Sequence, residues 1–267
     1  VIQNKGAYGL LFCELHSFAS DYSMLKPLLI GLALLGGCTQ VSQPADISGI
    51  WINQAAIETA AQGRPLLKSL QANGNNLEWH VDTRTGQAHA SSAFEVDEGQ
   101  LLPKAPNAWT VDHNGYSRDE LHLNDQQLLQ LPRKDLPGQV FQRPHPPALA
   151  GAQWGSTFRQ ELNSAYMGGL WKILKGQGAG GTVVFNADGN LSGLGKNDRY
   201  ELCLGGDCAT QGAGNDTLYL GKGDVGDSWI FVRYGNTLGI FQAINHSRPD
   251  EIPQLSPGPR QWLLEKQ

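Results

Sequence analysis

Apolar positions along this chain recur mostly at every second residue. Leu77-Glu78-Trp79-His80-Val81, Tyr200-Glu201-Leu202-Cys203 and Thr217-Leu218-Tyr219-Leu220 alternate in this way, the period of a strand with one buried face. Two longer stretches read as strand pairs. Leu121-His122-Leu123 precedes Leu128-Leu129-Gln130-Leu131 across the polar turn 124–127, and Trp229-Ile230-Phe231-Val232 precedes Leu238-Gly239-Ile240-Phe241 across 234–237. Asn73-Gly74 within 70–77 and Asp188-Gly189 within 185–191 supply the positive φ of tight hairpins, so both segments are expected to be strand–turn–strand. Helical spacing is scarce. It is confined to 57–61, stopped by Gly63-Arg64-Pro65, and to 157–167, where Phe158, Leu162, Ala165 and Tyr166 form a partial stripe ahead of Gly168-Gly169.

The pattern breaks once, at Arg143-Pro144-His145-Pro146-Pro147-Ala148, where three prolines in four positions favour a semi-rigid extended spacer. Residues 143–150 therefore read as a linker between a first β module, 47–142, and a second, 151–267. Each half opens on a similar phrase, Gly49-Ile50-Trp51 and Gly169-Leu170-Trp171. The expectation is a mainly β protein of two small antiparallel barrel- or sandwich-like modules in tandem.

Composition narrows the function. Among 267 residues, 20 Lys and Arg stand against 25 Asp and Glu, a net charge of −5. That gives nothing to displace counterions from a phosphate backbone, so nucleic acid is not an expected partner. The glycine run 176–181 precedes a β pattern, Thr182-Val183-Val184-Phe185, and reads as an interstrand loop rather than a phosphate cradle. His80 and His122 sit at the polar parity of their strands and are expected to face solvent. His113, with Asp112, Asp119 and Glu120, reads as a hydrated surface stretch, and Asp224 and Asp227 as a hairpin end. No Gly-x-Ser-x-Gly elbow occurs. The sequence points to no catalytic residue, metal ligand or cofactor.

The front of the chain carries an address. Residues 28–35 are apolar, with Met24-Leu25-Lys26-Pro27 before them and Gly36-Gly37-Cys38 after. Eight such residues fall far short of the ~20 a spanning helix needs, and the layout is that of a secretory signal. Leu35-Gly36-Gly37-Cys38 resembles the lipobox of bacterial lipoproteins. The resemblance implies lipid on Cys38, removal of residues 1–37 (of which 1–23 are an extension upstream of Met24), and a tether over 38–46. Thr39 in place of Asp implies the periplasmic face of the outer membrane, with the membrane contacted through the lipid on Cys38.

In an oxidising compartment Cys203 and Cys208, with four residues between them, are expected to pair in a disulfide closing an exposed, hairpin-like tip. The loop Leu204-Gly205-Gly206-Asp207 is the candidate partner-binding element. Cys203 to Cys208 is similar to the disulfide-closed loop of the bacterial inhibitors of vertebrate lysozyme, except that Gly206 replaces their inserting His. The leading expectation is a non-enzymatic binding or envelope-assembly module whose ligand is an envelope protein, peptidoglycan or a small apolar molecule in a barrel mouth. The alternative is a periplasmic inhibitor of a cell-wall hydrolase such as lysozyme.

Overall fold

The computed structural model describes residues 44–134, 136–223 and 225–267. The first strand, β1 (Gly49–Ile52), leads into helices α1 (Gln54–Ala61) and α2 (Leu66–Gln71). Seven strands follow: β2 (Glu78–Asp82), β3 (Gln87–Ser91), β4 (Val96–Ala105), β5 (Ala108–His113), β6 (Ser117–Asn124), β7 (Gln127–Gln130) and β8 (Gln139–Gln142). These eight strands pair in sequence order and close into an antiparallel barrel. After the proline-rich segment come α3 (Ser156–Leu162) and one π-helical turn (Asn163–Met167). A second closed barrel is built from β9 (Gly169–Gly176), β10 (Thr182–Phe185), β11 (Asn190–Leu194), β12 (Asn197–Leu202), β13 (Thr217–Lys222), β14 (Val225–Tyr234), β15 (Thr237–Asn245) and β16 (Leu255–Lys266), with α4 (Gly206–Gln211) between β12 and β13. The fold is two eight-stranded antiparallel barrels in tandem.

The two-residue alternation decides what fills each barrel. In the first, Trp51, Trp79, Val81, Ala88, Ala90, Leu101, Trp109, Val111, Leu121, Leu128 and Phe141 form one buried cluster. Small residues offset large ones: Trp79 stands opposite Trp51 on one side and Ala90 on the other. In the second, Trp171, Ile173, Val183, Phe185, Tyr200, Leu202, Leu218, Leu220, Phe231, Leu238, Ile240 and Leu264 do the same work.

Both barrels begin with the same device. Gly49 and Gly169 have φ of +112° and +110°, backbone that glycine alone adopts without strain. Two residues on, the indole N–H of Trp51 donates to the Ile47 carbonyl at 2.9 Å, and that of Trp171 donates to the Met167 carbonyl at 2.8 Å. A cation from the end of the last strand covers each ring: Arg143 lies 3.8 Å from the Trp51 centroid and Lys266 5.8 Å from that of Trp171.

Residues 143–150 join two barrels that also touch directly. Ile52, Ala56, Ile57, Leu66 and Leu70 from the first half lie in the same apolar cluster as Phe158, Tyr166, Met167 and Trp171. The Asp216 carboxylate accepts from the backbone N–H groups of Leu66 and Leu67 at 2.6 and 2.9 Å. Glu78, fully buried, accepts from Gly155 and Phe158 at 2.9 and 2.6 Å. Burial pushes the Asp216 carboxyl above its ordinary range, and the two N–H donors oppose that shift.

Three expectations change. Residues 70–77 are not strand–turn–strand, because Leu66, Leu67 and Leu70 follow Pro65 at helical spacing and bury together as α2. His80 is half-covered instead of open, since its neighbour two residues back, Glu78, is held at the start of α3 and bonds the imidazole Nε2. His113 is 8% exposed and lies inside the first barrel. The β5–β6 turn is only residues 114–116, so the alternation from Val111 carries His113 inward. There it bonds Asp119 at 3.0 Å, whose other oxygen accepts from Gln130 at 2.9 Å. Gln130 in turn accepts from Asn76 and from the Trp79 indole.

Candidate functional site

Cys38 and the lipobox lie outside the described residues. Cys203 and Cys208 form the expected disulfide, with Cα atoms 5.8 Å apart. The loop between them is not a hairpin tip. It carries the chain from the end of β12 into α4, so the bridge ties a strand end to the first turn of a helix. Leu204 is 7% exposed and belongs to the second barrel's apolar cluster. Gly206, at φ +63°, sits so close to Phe94 of the first barrel that a Cβ there would lie 2.3 Å from the ring. Gly205 is half-buried and Asp207 exposed. Of the four loop residues singled out from the sequence, the two ends of Leu204-Gly205-Gly206 are therefore used in packing, and Asp207 alone presents a side chain to solvent.

The ends of the second barrel differ in what they leave open. Strands that run alternately up and down put their connections at alternate ends. The end carrying residues 186–189, 203–216 and 235–236 is filled by the π-turn. Here Arg233 reaches inward, bonds the Tyr166 carbonyl through Nη1, and lies 4.6 Å from the Tyr166 ring centroid. Burial lowers the Arg233 pKa and raises that of Tyr166. The opposite end, with connections 177–181, 195–196, 223–224 and 246–254, carries no helix among the described residues.

A cavity of about 570 Å³ lies at this open end, lined by Asp227, Ser228, Trp229, Gln242, Ala243, Leu255 and Gln261. Trp229 shares the inward parity of Phe231, and its direct cross-strand partner is Gln242. The Trp229 ring rests on Trp262, with centroids 5.2 Å apart and planes at 57°. Trp262 is held in place by its indole N–H, which donates to the Gln177 carbonyl at 3.2 Å. The result is an aromatic wall braced from behind, with one carboxylate and two amides around it. An indole face takes apolar C–H surface, while amides and a carboxylate supply both donors and acceptors. Such a wall is chemically suited to surface that is apolar on its face and hydroxyl-bearing at its edge.

The sequence placed Trp229 in a strand but gave no sign that it lines a mouth. The available signal was parity: Asp227 and Trp229 share the inward register of Phe231, and a carboxylate at an inward position marks where the apolar filling ends. Of the two carboxylates expected at a hairpin end, Asp227 lies within β14 opposite Leu220, near the end of the β13–β14 ladder at Lys222 and Val225, and Asp224 lies outside the described residues. Among the described residues, no group of three or more His, Cys, Asp and Glu is placed to hold a metal ion, and no helix is long and apolar enough to cross a membrane. No protein-family model matches the chain, and neither a curated protein nor a solved structure matches it.

Proposed function

We propose that this protein is a non-enzymatic binding module, lipid-anchored through Cys38 to the periplasmic face of the outer membrane, and that its ligand is a glycan strand of the peptidoglycan type. The observation that carries the reading is the mouth of the second barrel. Trp229, braced by Trp262, offers a flat face for the C–H side of a sugar ring, and Asp227, Gln242 and Gln261 surround it with groups that bond hydroxyls. Eight-stranded barrels have room for packed side chains or one small ligand; here the side chains fill one end and leave the other open. A small apolar ligand is favoured less, because polar side chains flank the indole. Inhibition of a cell-wall hydrolase by the disulfide loop is also favoured less, because Leu204 and Gly206 are committed to packing and only Asp207 projects.

The test is co-sedimentation of the soluble mature chain with purified sacculi. Gln242→Ala and Trp229→Ala are each expected to weaken capture by about tenfold or more, the range of a lost stacked or hydrogen-bonded contact. Unchanged capture by both variants would refute the glycan reading. The anchor is tested separately: Cys38→Ser should move the protein out of the membrane fraction, and normal membrane retention of that variant would remove the lipid assignment.

A further inference from the structure

The open mouth of the second barrel carries charge of one sign. Among the described residues, Asp227 is the only ionisable group lining the cavity, and the others are neutral. It stands two residues before Trp229 on β14, so the two side chains leave the same face of the strand. At the ordinary rise of a strand they are about 6.6 Å apart along it. The cross-strand partner of Asp227 is Leu220, an apolar neighbour that offers the carboxylate no hydrogen bond. The Asp227 side chain is exposed, and among the described residues it forms no ion pair and accepts no hydrogen bond.

Basic side chains stand elsewhere. Lys196, Lys222 and Arg248 lie in or beside the connections at this end, are exposed, and do not line the cavity. Arg260 adjoins the lining residue Gln261, but its side chain runs along the outside of the barrel. Its Cδ would lie 3.6 Å from a Cβ at Gly239, whose parity is opposite to that of Leu238 and Ile240 in the barrel filling. The cavity thus joins an aromatic face to a carboxylate that no basic lining residue answers.

Such a carboxylate sorts ligands. It repels anions and attracts an ammonium, whereas hydroxyls are served equally well by the amides of Gln242 and Gln261, which both donate and accept. An equatorial amine lies at the edge of a pyranose ring, and the ring C–H bonds lie on its faces. One sugar can therefore stack on Trp229 and direct its amine along β14 to Asp227. The negative face of the indole also favours C–H groups polarised by a neighbouring cation.

We infer that the mouth selects amino sugars whose amine is free, the de-N-acetylated hexosamine units of a glycan strand, and that Asp227 determines this specificity. The inference rests on the glycan reading of the mouth. Acetylation removes the positive charge, so an N-acetylated unit keeps the stacking and the hydroxyl contacts and loses the pairing with Asp227. A carboxylate beside the stacked ring is disfavoured by the same negative charge.

The experiment is calorimetric titration of the soluble mature chain with a glucosamine tetramer of the chitosan type and with its fully N-acetylated counterpart, in low-salt buffer acidic enough to protonate the sugar amine. The free-amine tetramer should bind about tenfold more tightly, the range of one charge-assisted contact. Asp227→Asn, nearly isosteric and at an exposed position, should bring the ratio of the two affinities to about one, and added salt should narrow it in the parent. Trp229→Ala should weaken the binding of both tetramers. Equal or tighter binding of the acetylated tetramer, or a preference that survives Asp227→Asn, would overturn the inference and leave the glycan reading standing. Failure of both tetramers to bind the parent would overturn the glycan reading, and the inference with it.

Discussion

The two barrels share strand number, order and opening device, yet they fill and close themselves differently. The first carries an imidazole, a carboxylate and two carboxamides inside it, with His113, Asp119 and Gln130 bonded in a chain that ends on Trp79 and with Gln139 bonded to the backbone carbonyls of Asn73 and Asn76. The second stacks rings: Trp171 meets Phe185 edge-on at 6.2 Å, and Phe185 meets Tyr200 at 5.0 Å. Closure differs as well. In the first barrel β1 meets β8 at one register pair, Ile52 with Gln142, whereas β9 and β16 share five. A buried polar chain is stable only when every member is satisfied, and it enforces one arrangement of its residues. Aromatic filling is more permissive and can stop short of the rim. The barrel with the polar chain has the weaker seam, and the barrel with the apolar filling has the vacant mouth.

The sharpest way to break this contrast is to cut at its apolar side. Trp171→Ala should cost about 3–5 kcal/mol. Because its cluster includes Ile57, Leu66 and Leu70 of the first half, calorimetry should show a single transition displaced as a whole. Two resolved transitions in the parent protein would mean that each barrel melts alone. Asp119→Ala attacks the polar side, leaving His113 and Gln130 without their shared acceptor, and should cost about 3 kcal/mol by urea unfolding, as broken buried pairs do. A loss much smaller than that would show that the chain is dispensable to the first barrel.

Smaller effects follow at the edges. Cys203→Ala with Cys208→Ala should cost about 2 kcal/mol, the chain-entropy value for so short a loop, read as a shift in urea midpoint against the oxidised parent. The smallest effect is a pH slope. The hydrogen bond to Asp119 raises the His113 pKa above its ordinary 6.5, with burial opposing. The contribution of this group is therefore complete below pH 6.5 and declines as pH rises through the elevated folded-state value. His113→Gln should flatten that decline in a stability–pH profile, and an unaltered slope would assign it to other groups.

Much of the architecture was legible because alternation in a two-residue period specifies both a strand and its buried face. The turns at 124–127, 186–189 and 234–237 announced themselves through Asn, Asp and Gly, and the repeated Gly-x-Trp phrase marked both first strands. What stayed hidden was long-range. Leu70 read as the start of a strand–turn–strand segment until α2 packs it, with Leu66, on the other barrel. Glu78 sits at a parity that predicts solvent and is buried because α3, more than seventy residues away in sequence, places two N–H groups on it. The disulfide could be read from spacing, but not the approach of Phe94 to Gly206, which gives the loop its packing role.

The carboxylate of Asp216 has a consequence for how the molecule moves in solution. By holding the start of α2 from the far barrel, it pins the two halves at a point well away from the proline-rich connection, and Glu78 pins them at another. Two separated pins suppress swivelling about a single flexible joint. Backbone ¹⁵N relaxation should accordingly return one rotational correlation time for residues of both barrels, that of a single rigid particle.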